Sequence, residues 1–367
     1  MHSIDPEIQL DCNILVTASG LSPVGVNTVS CLKDRVRKIV GVDIKDTAAT
    51  RFFVDKFYLV PPASQQSFYV NKLLKICRHE KINIILPLTI EELLVCVQFR
   101  KYFIARGVAI AGENDFYNIF ICNDKWLTNQ YLYKHGIAVP KAWAVSTPDQ
   151  LLAAADKLNY PARTLVFKPR VTHGSRGLRL VSENYDYFDQ LINRKPDQHL
   201  FITLTELVSV LNNCQKMPLA LLMDYLIGDD YSVYAFCHLG EVLSVVSLQR
   251  AGLLPGMSIG GEIKFDSVIN NYVKAIVKAF NFSGPINLQL IKTKTGPLIY
   301  EINTRLSATT IAAAATGLNY PLFTLLQALG QVEVIKKIIT AAPIKSGLKL
   351  FRVQREIFCY QDNFFEL

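Results

Sequence analysis

The chain has 367 residues, half of them hydrophobic and 19% charged, so it can build large cores and does not belong to the disordered class. The net charge of +8 is carried by dispersed Lys and Arg rather than a basic stripe. That excludes a typical nucleic-acid partner and suits small anionic ligands. No run of about 18 apolar residues occurs, so no membrane partner is expected.

Further signals place the protein in the cytoplasm. The N-terminal stretch Met1-His2-Ser3-Ile4-Asp5-Pro6-Glu7 lacks the basic and apolar regions of a secretion signal. The eight cysteines, at 12, 31, 77, 96, 122, 214, 237 and 359, show no Cys-x-x-Cys pair, and several lie in apolar segments. They are expected as reduced thiols rather than a disulfide framework or a zinc site. The length predicts two or three domains.

In chain order, residues 13–18 predict a strand, followed by Ser19-Gly20-Leu21-Ser22-Pro23-Val24-Gly25 and a helix over about 26–33. Strands are predicted over 38–42, 82–86 and 108–111, with a helix beginning near Glu91. Strands alternating with helices imply parallel βαβ units, hence a Rossmann-like domain over residues 1–112. Gly20, Gly25 and Asp43 invite an NAD-dependent oxidoreductase reading. Their Gly-x-x-x-x-Gly spacing and Pro23 break the dinucleotide fingerprint, and a tight βα turn with a strand-end acid is preferred.

A helix is predicted over 123–132, ending at His135-Gly136 before Pro140. Short strands and two helices alternate to about 240, a strand-rich block runs over 241–306, and helices dominate 309–339. With no repeat and no low-complexity linker, the segments 113–240 and 241–367 are expected to pack closely.

Three segments carry chemistry. In Phe167-Lys168-Pro169-Arg170-Val171-Thr172-His173-Gly174-Ser175-Arg176-Gly177, two glycines beside a basic cluster let backbone N–H groups approach phosphate oxygens. Lys168, inside an apolar strand, needs an anionic partner if buried; the alternative is a hairpin turn with a snorkelling lysine. In Met223-Asp224-Tyr225-Leu226-Ile227-Gly228-Asp229-Asp230, Tyr225 and Leu226 can offer backbone groups and an apolar wall to a purine, and Asp230 can accept from ribose hydroxyls. By itself this segment is better read as a hairpin with a solvated turn.

The third segment is Asn287 to Arg305. A hairpin folded symmetrically about Thr295 sets Gln289 opposite Glu301 and Asn287 opposite Asn303. Strand alternation then puts Leu288, Leu290, Leu298, Tyr300 and Ile302 on a core face, with oxygen donors and Arg305 on the other. Oxygen donors of this kind suit a hard divalent cation such as Mg²⁺, shared with substrate phosphates.

These segments, in this order, resemble the ATP-grasp superfamily, most closely the carbamoyl-phosphate-synthetase-like branch, over nearly the whole chain. The motifs are Asp124-Lys125, the Lys168 strand with its glycine loop, the hinge at 223–230, Gln289, and Glu301-Ile302-Asn303-Thr304-Arg305-Leu306-Ser307. Ala315-Thr316-Gly317 with Tyr320-Pro321 follows. The resemblance implies an α/β and α+β architecture: a pre-grasp domain (1–112), then a two-lobed ATP-grasp fold with an N-lobe (113–240) and a C-lobe (241–367).

It also implies ATP with one or two Mg²⁺ (or Mn²⁺) ions. Lys125, Lys168 and the loop His173, Gly174, Ser175 and Gly177 would hold phosphates, with Arg250 as a further contact. Asp224, Tyr225, Leu226 and Asp230 would form the adenosine site, and Gln289, Glu301 and Asn303 would hold metal. Arg305, with Asn303 and Lys168, would serve catalysis.

The implied activity is an ATP-dependent ligase joining a small carboxylate, such as an amino acid, to an amine through an acyl phosphate. A homodimer is compatible with it. Met223-Asp224 at the hinge, Thr304 in place of the common Pro, Ala308 in place of a second Arg, and a single unit rather than a tandem argue against carbamoyl phosphate as product. A nucleotide-binding protein without turnover is the alternative. Specificity is expected from 19–25, 89–92 and a mobile 250–261 loop containing Gly256, Gly260 and Gly261.

Overall fold

A computed structural model describes residues 8–20, 23–172, 174, 176–193, 200–254, 257–342, 346–353, 356–360 and 363–366. The first unit contains β1 (Leu10–Val16), α1 (Val24–Leu32), β2 (Val36–Asp43), β3 (Lys56–Leu59), α2 (Gln66–Glu80), β4 (Ile84–Leu86), α3 (Ile90–Gln98), α4 (Arg100–Ile104) and β5 (Ala109–Ile110). Its strands form one parallel sheet in the order β3-β2-β1-β4-β5. Sequence alternation alone misses β3, because no residue of this short edge strand is fully buried. It also misses α2, although Tyr69, Val70, Leu73, Ile76 and Cys77 form a buried stripe at helical spacing.

Gly25 is required where α1 leaves the β1 turn: a Cβ there would lie 1.7 Å from the Ser19 carbonyl oxygen. Asp43 accepts from the backbone N–H of Gly20 and Lys45, so the strand-end acid closes this turn, as the non-dinucleotide reading expects.

The chain continues through α5 (Phe116–Asn123) and α6 (Lys125–Lys134), two helices where one was predicted, with Asp124 between them. A mixed sheet in the order β6-β10-β7-β8-β9 follows. It comprises β6 (Ala142–Val145), α7 (Pro148–Lys157), β7 (Leu165–Pro169), β8 (Arg179–Val181), β9 (Phe201–Ile202), α8 (Leu204–Asn212) and β10 (Ala220–Asp224). This lobe has its own core, including Leu151, Leu165, Phe167, Leu207 and Leu222.

The last sheet has the order β15-β14-β11-β12-β13-β16. It is built from β11 (Asp229–His238), β12 (Glu241–Leu254), β13 (Met257–Ile263), α9 (Ser267–Phe280), β14 (Gly284–Thr293) and β15 (Gly296–Asn303). Then come α10 (Ile311–Ala314), α11 (Tyr320–Ala328), α12 (Val332–Ala341), β16 (Lys349–Phe351) and a small hairpin, β17 (Ile357–Tyr360) with β18 (Asn363–Glu366). Asp266 caps α9, whose Ile269, Val273, Ile276 and Phe280 are buried under the sheet.

The expectation of a mobile 250–261 loop is corrected. Arg250 pairs with Gly261 and Ala251 with Gly260 across β12 and β13. These glycines serve close packing, since a Cβ on Gly261 would meet the Gln249 carbonyl oxygen at 2.5 Å. Gly256 lies outside the described residues.

One continuous core joins the first unit to the last sheet, including Ile14, Leu32, Ile84, Phe236, Leu322 and Phe323. The β7 lobe stands apart with its separate core. All eight cysteines are free thiols. Among the described residues no helix is long and apolar enough to cross a membrane.

Candidate nucleotide and metal site

The β14–β15 hairpin sets one wall. Asn287 pairs with Asn303, Leu288 with Ile302, and Gln289 with Glu301, the register expected from the symmetric turn. A bulge then intervenes, so that Leu290 pairs with Ile299 and Tyr300 is left over. The core face is therefore Leu288, Leu290, Ile299 and Ile302. The assignment of Leu298 and Tyr300 to that face is corrected: both are only partly buried, because the extra residue inverts the alternation beyond Glu301.

Asn303 Nδ2 donates to Glu301 Oε1 at 3.0 Å, leaving the Asn303 amide oxygen without this tie. Asn287 shares the polar face by register, but it is buried and its Nδ2 donates to Ser232 Oγ at 2.8 Å.

Lys168 of β7 faces this wall and is 7% exposed. Its Nζ donates to the Tyr300 carbonyl at 3.2 Å and lies 5.5 Å from the Tyr300 ring centroid. Burial, then repulsion from Lys125, lowers its pKa to about 8 against the pull of Glu301. Lys125, at the start of α6, donates from Nζ to the Thr172 carbonyl at 2.8 Å. Burial lowers its pKa too, opposed by Glu301 and then Asp124. Asp124 caps α6 and receives Arg170 in a fork of 3.0, 3.0 and 2.6 Å, tying the helix to the end of β7.

Arg305 Nη1 donates to the Leu306 carbonyl, while Nε is buried without a partner among the described residues. Burial lowers its pKa, opposed by Glu301 and then by Glu91 of α3. The segment after Arg305 is anchored from the first unit, where Asn27 Nδ2 donates to the Ala308 carbonyl. Thus Lys125, Lys168 and Arg305, from three separate elements, all bear on one carboxylate.

The glycine loop joins β7 to β8. Gly174 and Gly177 take φ of +66° and +73°, and a Cβ on Gly177 would lie 2.8 Å from Pro169 Cγ. His173 and Ser175 lie outside the described residues.

At the hinge, Asp230 Oδ2 lies 3.2 Å from Arg250 Nη1, and the Tyr300 hydroxyl donates to Asp230 Oδ1 at 3.0 Å. Arg250 Nη1 also donates to the Tyr300 hydroxyl at 2.9 Å. Burial raises the Asp230 pKa despite these partners. Asp224 instead lies 3.9 Å from the more exposed Arg163, apart from the Asp230 cluster's partners. Tyr225 is exposed, with its N–H directed to the Thr164 carbonyl, and Leu226 is partly buried beside it.

Sequence reasoning missed Arg170 and Tyr300 as site residues. A basic residue one step after Pro169 was a usable signal for Arg170, whereas nothing in the alternation announces the bulge. Among the described residues no group of three or more His, Cys, Asp or Glu is placed to hold a metal ion. A cation here would rely on Glu301, amide oxygens and ligand oxygens.

A parallel N-terminal sheet packed onto an antiparallel sheet, with a lysine-bearing lobe closing against it, defines the ATP-grasp fold. The chain has the fold of solved ATP-grasp ligases, and family models match parts of it. Residues 216–350 match the family described as "ATP-grasp in the biosynthetic pathway with Ter operon", and residues 14–111 match "PylC-like, N-terminal domain".

The carbamoyl phosphate synthase large chain of Lachnoclostridium phytofermentans is 26% identical over 224 residues, 58% of this chain and 19% of that protein. The chain therefore spans about a fifth of that curated relative. The L-amino acid ligase of Bacillus licheniformis superposes with a TM-score of 0.61 at 15% identity, covering 87% of this chain and 74% of that one. The N5-carboxyaminoimidazole synthetase of Staphylococcus aureus gives 0.61 at 13% identity, covering 89% and 79%.

Proposed function

We propose that the protein is an ATP- and Mg²⁺-dependent, ADP-forming ligase that joins a small carboxylate, such as an amino acid, to an amine. The observation that carries this reading is the convergence of Lys125, Lys168 and Arg305 on Glu301, with Gln289 and Asn303 beside it. Three buried cations gathered about Glu301, each with its pKa lowered by burial, suit an anionic ligand such as a polyphosphate.

Lys168, Lys125 and the 172–177 loop hold the phosphates. Tyr225, Leu226 and Asp230 hold adenosine, and Arg250 supports Asp230. One acid flanked by amide oxygens fits a hard divalent cation that completes its shell with phosphate oxygens. Glu301, Gln289 and Asn303 would hold Mg²⁺ or Mn²⁺, which when bound neutralises phosphate charge.

A substrate carboxylate oxygen attacks the γ-phosphorus as the bond to the β-phosphate oxygen breaks, giving an acyl phosphate and ADP. The amine then attacks the acyl carbon, phosphate leaves, and the amine loses a proton. Arg305 stabilises charge on the moving phosphoryl group, and no covalent protein nucleophile is needed.

The test is ADP release screened over amino acids, alone and in pairs, with Glu301→Ala as the blank. Substrate-dependent ADP release by the wild type that is lost in the blank is expected. Release that survives the substitution would remove the metal assignment. The outward pairing of Asp224 with Arg163 favours one second reading, a nucleotide-binding protein without turnover, which would bind MgADP yet release none from ATP with any substrate.

A further inference from the structure

Tyr300 reaches Lys168, Asp230 and Arg250 only because of the bulge. In unbroken alternation it would share the core face of Ile302. From that position it touches three residues on three other strands: Lys168 of β7, Asp230 of β11 and Arg250 of β12. We propose that Tyr300 is a positioning residue for the nucleotide, its hydroxyl fixing the plane of the Asp230 carboxylate for the ribose and its backbone carbonyl and ring fixing Lys168 for the phosphates.

The inference rests on the ATP reading of the same cleft. The hydroxyl accepts from Arg250 Nη1, so its own proton has one direction, toward Asp230 Oδ1. Arg250 approaches the other carboxylate oxygen, Oδ2, at 3.2 Å. Held at both oxygens, the carboxylate cannot rotate, and its remaining lone pairs keep one aim. Without the phenol hydroxyl, Asp230 keeps only the guanidinium and can swivel about its last bond. The ionisable groups facing the phenol are Asp230, Arg250, Lys168 and Glu301.

Tyr300→Phe removes the hydroxyl and keeps the ring and the carbonyl bond to Lys168. The measurements, on the full chain, are MgADP binding by calorimetry, KM for ATP against kcat, thermal melting, and the preference for ATP over 2′-deoxy-ATP and 3′-deoxy-ATP. MgADP affinity is expected to fall about tenfold, the scale of one hydrogen bond to a charged group. The preference over the deoxy analogues should shrink toward one, with kcat within about twofold and melting unchanged.

Tyr300→Met, which also lacks the hydroxyl, carries the same comparison should the Phe variant fail to fold. A wild type that binds no MgADP would defeat the ATP reading itself. A wild type that binds MgADP, beside a variant of equal affinity and equal deoxy discrimination, would defeat the role given to Tyr300 alone.

Discussion

Glu92 on α3 of the N-terminal unit and Glu301 on β15 are acids among polar neighbours, yet their surroundings differ in kind. Glu92 is buried and accepts from three neutral hydroxyls: Thr17 at 2.7 Å, Thr89 at 3.0 Å and Tyr69 at 3.0 Å. Burial pushes its pKa up to about 7. Glu301 has one amide donor, Asn303, and acts on three cations from separate elements. The first acid completes a closed network and belongs to the fold. The second acts on cations whose hydrogen bonds, among the described residues, run to backbone carbonyls, a costly arrangement that makes it the candidate site. The adjacent pair Glu91-Glu92 repeats the contrast, since Glu92 is locked inside while Glu91 is exposed and acts on Arg305.

The sharpest way to break the comparison is to remove the cleft acid. Glu301→Ala should lower ATP turnover by at least about 10²–10³-fold, the scale of losing one transition-state electrostatic partner. Unchanged ADP release would erase the distinction. Arg305→Ala should lower kcat by a comparable factor while leaving MgATP binding, measured by calorimetry, close to wild type. Lys168→Ala should weaken ATP binding by roughly 2–3 kcal/mol, the worth of a charge-assisted hydrogen bond. Equal ATP affinity for the variant and the wild type would count against the division of roles.

The two regions should also titrate in opposite senses. Lys168 has its pKa lowered to about 8, so the free protein loses this cation as pH rises through that value. The kcat/KM for ATP should therefore fall above about pH 8, by up to about tenfold per pH unit, with Lys125 adding to the fall. Lys168→Arg should abolish most of this alkaline limb.

For Glu92, the folded pKa of about 7 exceeds the ordinary 4.5, so the fold holds a proton that the unfolded chain gives up. Its contribution to stability is fully present below about 4.5 and declines as pH rises to about 7. Glu92→Gln should gain on wild type across that window by about 1–3 kcal/mol in chemical denaturation. Parallel pH profiles for the two proteins would show that Glu92 is already ionised in the fold. The smallest effect should come from Gly177→Ala, which combines a positive φ with the Pro169 contact. A destabilisation of about 1–2 kcal/mol in thermal melting, with weaker ATP binding, would tie the loop to the site.

Much of this was legible in local pattern. The polar turn at 293–297 implied the pairing of Gln289 with Glu301, and the alternation of strands and helices implied the parallel sheet. The periods of α2 and α9 were present to be found, since both carry buried stripes at helical spacing. The bulge at Tyr300 was not legible, because residues 298–302 support unbroken alternation equally well. Its placement depends on which face the rest of the sheet can bury.

Residue order and hydrophobic period alone determined that this chain builds βαβ units, a glycine turn beside a lysine in an apolar strand, and a hairpin carrying its acid and amides on one face. Those are short-range properties of sterics and solvent exclusion. Only the tertiary structure decided that Lys125, Lys168 and Arg305 come within electrostatic reach of a single carboxylate, that Arg170 locks Asp124, and that Tyr300 turns toward Asp230. Contacts between residues 46 to 132 positions apart depend on which cores fuse and which remain separate, and charge makes the outcome matter, because like cations stay near one another only where packing holds them.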